Sequence, residues 1–211
     1  MNVVSFVPRF SDPDAVVHKF AAKSLKTPFS IEMLYLPYVL FRYRVDWTTL
    51  AGKEKNETGL FLADLIQGLP MNIQKTTKFE LPPEMEEEFS GFTGLMSPAQ
   101  PAKRTIALRR SEIPEDRILP AALEEKAAIE RGKSVFKYDL MRVMGGLRFR
   151  KIGIIPFPET KTLYYPFWLV YHRDKKGKMR FEVFDALTGQ KEKGPVVQSI
   201  KLGLIKKRET K

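Results

Sequence analysis

The chain has 211 residues, 43% hydrophobic and 29% charged, enough for one sizeable globular domain or two small ones. With no cysteine and only His18 and His172, it has no disulfide framework, thiolate nucleophile or Cys-based metal site, little basis for a histidine-rich one, and no implied cofactor. The net charge of +11 is uneven: residues 1–102 carry 10 Lys+Arg against 12 Asp+Glu, and residues 103–211 carry 26 against 13, which points to an acidic partner.

The segment Pro8–Pro13 ends in helix-start chemistry. Ser11 or Asp12 can cap, and Pro13 suits the first helical position, where an N–H would have no partner. A helix is predicted over Asp14–Leu25 with Val16, Phe20 and Ala21 on its apolar side, stopped by Thr27-Pro28. Ile31–Val45 reads as a long strand. Tyr35, Pro37, Val39, Phe41 and Tyr43 point one way and Leu34, Leu36, Tyr38 and Leu40 the other, so both faces need cover. The first helix is expected on one face, and a second sheet, a second module or a partner on the other. Ala51–Thr58 is a polar hairpin loop, and Gly59–Leu65 is a strand closing in a turn that runs from Asp64 to Gly68. Phe79–Arg117, with Pro82-Pro83, the acidic run Glu84–Glu88, Ser97-Pro98 and Pro101, reads as a linker with one short helix.

The strongest helical pattern covers Leu123–Met144. Ala128, Gly132, Val135, Phe136, Leu140 and Val143 form its stripe, Gly132 permits close approach to a sheet, and Gly145-Gly146 caps the end. Three strands are predicted next, Leu147–Ile155, Thr162–His172 and Met179–Asp185, with a hairpin turn at Asp174–Gly177. Gly194-Pro195 opens a last helix that carries Val197, Ile200 and Leu204 and ends in Lys206-Lys207-Arg208, on the favourable side of its dipole.

Two stretches 129 positions apart match: LYLPYVLFRYR (Leu34–Arg44) and LYYPFWLVYHR (Leu163–Arg173). Leu34, Tyr35, Pro37, Tyr38 and Leu40 align with Leu163, Tyr164, Pro166, Phe167 and Leu169, and the Asp64–Gly68 turn aligns with Asp185–Gly189. The expected fold is therefore α+β, with two related modules, each an amphipathic helix packed on a small antiparallel sheet. The first covers 1–78, a Pro-rich linker 79–117, and the second, with a basic C-terminal helix, 118–211. The two prolines are expected at a bulge or an edge, because proline cannot donate to a ladder.

The order helix, strand, strand, strand, closing in Asp185-Ala186-Leu187-Thr188-Gly189, resembles the PepSY type of domain. The second copy carries the likeness in order and turn, and the first keeps only Asp64 and Gly68. The resemblance implies a small α+β binding or inhibitory module, of a kind usual outside the cytoplasm beside peptidases or in sensors. It brings no catalytic residues.

No phosphate loop, nucleophile elbow or metal-ligand spacing is present. His172 reads as a rim histidine rather than a general base. Asp64 and Asp185 invite a paired-carboxylate site, but each more simply accepts backbone N–H groups in its own turn. The aromatics Tyr35, Tyr38, Tyr164, Phe167 and Trp168 read as a seam between modules or with a partner, ahead of a stacking platform for single-stranded nucleic acid. The residues expected to meet an acidic ligand are Lys161, Arg173, Lys175, Lys176, Lys178, Lys201, Lys206, Lys207 and Arg208. The functional expectation is a non-enzymatic binding or assembly protein, a subunit or adaptor, with an acidic or macromolecular partner or with itself. Nucleic-acid or ribonucleoprotein binding through the basic half is the alternative, and a small pocket enzyme the second alternative. The opening residues have no basic region followed by an apolar run, and no window approaches the roughly 18 apolar residues of a membrane span, so the expected location is the cytoplasm.

Overall fold

The computed structural model describes residues 1–21, 28–73, 77–93, 104–143 and 149–209. The predicted cap at Gly145-Gly146, the strand start at Leu147, the stop at Thr27 and the Ser97–Pro101 stretch lie outside them, as do the side chains of Phe20, Ala21 and Val143.

In chain order the elements are β1 (Asn2–Phe6), α1 (Pro13–Ala21), β2 (Pro28–Thr49), β3 (Glu54–Asp64), β4 (Pro70–Ile73) and β5 (Thr77–Glu80). Then come the short helices α2 (Pro83–Glu86) and α3 (Ser90–Thr93), β6 (Arg104–Glu112) and a 3-10 turn over Glu115–Arg117. The chain closes with α4 (Glu125–Val143), β7 (Phe149–Arg173), β8 (Met179–Asp185) and α5 (Pro195–Glu209). The strands join in the order β4-β3-β2-β7-β1-β6-β5, with β8 on β7. β2–β3, β3–β4 and β7–β8 are antiparallel, whereas β1–β7 and β5–β6 are parallel.

This corrects the expected fold class. The chain builds one mixed sheet of eight strands, and two small antiparallel sheets each with its own helix are not what it forms. The physical reason lies in the two long strands. β2 has 22 residues and β7 has 25, so the two strands predicted at Leu147–Ile155 and Thr162–His172 are parts of one. Pro156 and Pro158 suggest a break in the sequence, yet their fixed φ is compatible with extended backbone.

By contacts the chain forms two compact units. Unit 1 contains Met1–Pro37, Arg109–Pro120 and Tyr164–Lys211, and unit 2 contains Tyr38–Leu108 and Ala121–Leu163. In unit 1, Val16 of α1 packs with Met33, Trp168, Val170, Phe184 and Ala186. In unit 2, Ala128 and Ile129 of α4, with Phe136 and Leu140, cover Val39, Phe41, Tyr43, Phe61 and Ala63. So among the described residues α1 covers the start of β2 and shares a core with β7 and β8, while α4 covers the face of β2 and β3. Each helix thus packs on strands that carry the other of the two matching stretches.

Hydrogen bonds at the two helix entries show the same crossing. The N–H groups of Ala122 and Leu123, ahead of α4, both donate to the Leu65 carbonyl, at 2.7 and 2.9 Å. Those of Arg9 and Phe10, ahead of α1, both donate to the Ala186 carbonyl, at 3.0 and 2.9 Å. Leu65 and Ala186 each follow the aspartate of a repeated turn. Asp12 caps α1 as expected, with Oδ1 accepting from the Asp14 N–H at 2.9 Å.

Both aspartates act within their own turns. Asp64 accepts from the N–H groups of Ile66, Gln67 and Leu69 at 2.9, 2.6 and 3.0 Å. Asp185 accepts from Leu187 and Thr188 at 2.6 and 3.1 Å and from the Tyr165 hydroxyl at 3.0 Å. Gly68 and Gly189 close the two turns at φ +71° and +62°. Pro37 and Pro166 each sit one residue before a hairpin ladder begins, at Tyr38↔Asp64 and Phe167↔Asp185, where the missing donor breaks no rung of it.

Gly132 gives α4 its close approach: a Cβ there would lie 3.2 Å from the Ala63 Cβ and 3.4 Å from the Phe61 ring. Val135, placed on the stripe by spacing alone, is exposed instead. The stretch read as a linker carries β5, α2, α3 and β6, and Met85, Phe89 and Phe92 are fully buried.

Candidate binding groove

The site is built from the β7–β8 hairpin outward. At its tip the Asp174 carboxylate accepts from the N–H groups of Lys176 and Lys178, both at 2.9 Å, and from Arg180 Nε at 3.2 Å. Slight desolvation pushes the Asp174 pKa up, but those two N–H groups and the Arg180 guanidinium outweigh it and hold it below the usual value. Gly177 takes φ +73°. The result is a fixed turn from which Lys175, Lys176 and Lys178 project into solvent, with Arg173 exposed beside them and donating to the Gly177 carbonyl at 3.2 Å.

Beyond the tip, a groove of about 600 Å³ runs between β8 and the start of α5. His172, Phe181, Glu182 and Val183 line its strand side. Lys191, Glu192, Lys193, Val197, Gln198 and Lys201 line the other. Gly194, at φ +58°, turns the chain into α5, and its carbonyl accepts the Gln198 N–H at 3.1 Å.

His172 is 2% exposed, which corrects the expectation of a rim histidine. Its Nδ1 lies 3.2 Å from the Arg180 carbonyl and its Nε2 lies 3.6 Å from Glu182 Oε1. Glu182 Oε2 is 2.6 Å from Lys191 Nζ. His172, Glu182 and Lys191 thus form a network along the groove wall. The Glu192 carboxyl titrates above its ordinary value, because burial disfavours its charge and the Asp185 carboxylate adds repulsion.

A group with a raised folded pKa binds more protons folded than unfolded, so Glu192 lowers stability as pH rises from its unfolded value through its folded one. Glu192→Gln is therefore expected to raise the urea midpoint at pH 7 and leave it unchanged near pH 3. Equal midpoints for the two proteins at pH 7 would count against this burial.

Of the residues singled out in the sequence, Arg173, Lys175, Lys176, Lys178 and Lys201 fall on the hairpin tip or the groove. Lys206, Lys207 and Arg208 lie at the far end of α5, about 9 Å along the helix from Lys201, and Lys207 Nζ donates to the Asp116 carbonyl. Lys161 belongs to unit 2, where it pairs with Glu88 at 3.3 Å and lies over the Phe89 ring. The aromatics form no open platform. Tyr38, Phe167 and Trp168 are buried, and Trp168 Nε1 donates to the Phe10 carbonyl at 2.6 Å. Tyr35 and Tyr164 are half-buried, bridged in parallel to Ile118 and Ser5. Burial holds the hydroxyls of both above their usual pKa.

Sequence reasoning missed Lys191, Lys193 and Arg180. The signal was present in Lys191-Glu192-Lys193, but the adjacent Gly194-Pro195 drew the segment into a helix start alone.

A second concavity, beneath α4 in unit 2, is lined by Tyr43, Trp47, Glu57, Phe136 and Leu140. At about 120 Å³ it is well below the roughly 300 Å³ at which small-molecule sites begin. Burial and the neighbouring Glu57 push the Tyr43 hydroxyl up to about 12, so it stays neutral there. Among the described residues no group of three or more Asp, Glu or His is placed to hold a metal ion, and no helix is long and apolar enough to cross a membrane.

Comparison with family models, with curated proteins and with solved structures gives no match to this chain.

Proposed function

We propose that this chain is a non-enzymatic binding or assembly protein of the cytoplasm that holds an acidic protein partner through the basic face of unit 1. The observation that carries this reading is the charge state of the groove. Lys193 and Lys201 line it and make no ion pair among the described residues, beside a rigid tip that displays Lys175, Lys176 and Lys178. Residues 173–201, which build the tip and the groove, carry 8 Lys+Arg against 4 Asp+Glu, so the field over this face attracts anions at a distance. The PepSY-like turn, with its implied binding role, agrees in kind.

An acidic protein is favoured over single-stranded nucleic acid because Phe167 and Trp168, which a single strand would stack on, are buried.

The test is binding of poly-glutamate to the wild-type protein and to a Lys193→Glu/Lys201→Glu variant across salt concentrations. Wild-type affinity is expected to fall as salt rises, and the variant to bind about tenfold or more weakly at low salt. No wild-type binding at low salt, or equal binding by both proteins, would sink the reading. Tighter, steeply salt-dependent binding of an oligonucleotide would favour the nucleic-acid alternative.

A further inference from the structure

We propose that the partner binds as an added β-strand: an extended acidic segment of another protein that hydrogen-bonds to the outer edge of β8. This rests on the binding function proposed above and specifies its geometry.

Backbone parity along β8 locates the open edge. The Glu192 N–H donates to the Val183 carbonyl at 2.8 Å and the Asp185 N–H donates to the Gln190 carbonyl at 2.9 Å. Val183 and Asp185 therefore turn their backbone groups away from β7. The Ala186 N–H, by contrast, donates inward to the Pro166 carbonyl at 3.3 Å. Alternation along a strand then directs the N–H and C=O of Met179 and Phe181 outward as well.

Residues 190–192 already run antiparallel to β8 on that edge, bridging Phe184 to Lys191. The chain then turns off at Gly194 into α5, so the outer position is filled beside Val183–Asp185 and stops there. Among the described residues, the outward backbone groups of Met179 and Phe181 have no partner. The groove lies along Arg180–Val183 of this edge, about 10 Å of strand.

Chemistry selects the occupant. A phosphate backbone could accept from the two N–H groups but has no comparable donors for the two carbonyls. A second copy paired edge to edge about Met179 would set Lys178 against the Arg180 of its mate, where like charges opposed on neighbouring strands destabilise. An extended peptide satisfies donors and acceptors alike, and acidic side chains on it meet Arg180, Lys193 and Lys201.

The experiment is amide-resolved hydrogen exchange on the full chain, with a synthetic peptide of about ten residues alternating Glu and Val as the probe. With the peptide at ten times its Kd, exchange at the Met179 and Phe181 amides is expected to slow about tenfold. The inward Arg180 and Glu182 amides, already in the β7 ladder, should change far less. Met179→Pro removes one outward donor at a strand's first residue, where proline is tolerated, and should weaken binding several-fold. Binding that depends on Lys193 and Lys201 but leaves the Met179 and Phe181 amides unprotected would overturn strand addition while leaving the binding function standing. No binding of the peptide or of poly-glutamate would overturn both.

Discussion

Replacing Phe61 with alanine is expected to destabilise the protein by about 3–5 kcal/mol, measured by urea unfolding. Phe61 is 1% exposed and sits where β3 meets α4. Its ring centroid lies 4.7 Å from that of Phe136, 5.4 Å from Phe41 and 5.7 Å from Tyr43. Removing the ring loses its transfer free energy and leaves a cavity that close-packed neighbours, with Gly132 bringing the helix backbone near, have little freedom to fill. A double-mutant cycle on Phe61 and Phe136 isolates the helix–sheet contact and should return a coupling of about 0.5–1.5 kcal/mol. If α1 rather than α4 covered this face, that coupling would vanish, so the cycle tests the crossed arrangement directly.

Asp64→Ala is the second large effect, expected at about 3–5 kcal/mol. The carboxylate satisfies three backbone N–H groups in a buried turn, and alanine leaves those donors with no acceptor at a cost of about 1–3 kcal/mol each, reduced where water can enter. Asp64→Asn keeps one acceptor oxygen and should lose about half as much. The comparison separates the turn role from a chemical one, since a catalytic carboxylate would show a loss of function with little loss of stability. Unfolding midpoints within error of wild type for the alanine variant would overturn the turn assignment.

The parts of the fold legible in the sequence are those fixed by local chemistry. Asp12-Pro13 starts a helix because one side chain caps and the other lacks a donor where none is needed. The Asp64 and Asp185 turns follow from aspartate's reach to its own backbone, and α4 from an apolar stripe at a spacing of three to four. What stayed hidden is non-local. Either helix can cover a strand that is apolar on both faces, so residue type alone leaves the partner of β2 undetermined, and the crossing becomes visible only in the bonds to Leu65 and Ala186. The stretch 79–117 misled because Pro82-Pro83 and the acidic run masked Met85, Phe89 and Phe92, which recur at four and then three residues, a helical spacing.

The candidate site divides in the same way. Basic residues at the hairpin tip announce themselves by composition. The groove does not, because it depends on Lys191–Gly194 folding back along β8 and on α5 starting beside it. The cluster Lys206–Arg208 was equally basic in sequence but lies at the other end of α5.

The most direct measurement of the central claim is a backbone-amide NMR titration of the full chain with poly-glutamate at low salt. Shift changes are predicted at Asp174–Val183 and Lys191–Lys201 and should fade as salt is raised. Changes confined to unit 2, or to the Lys206–Arg208 end of α5, would contradict the assignment of the binding face to the groove.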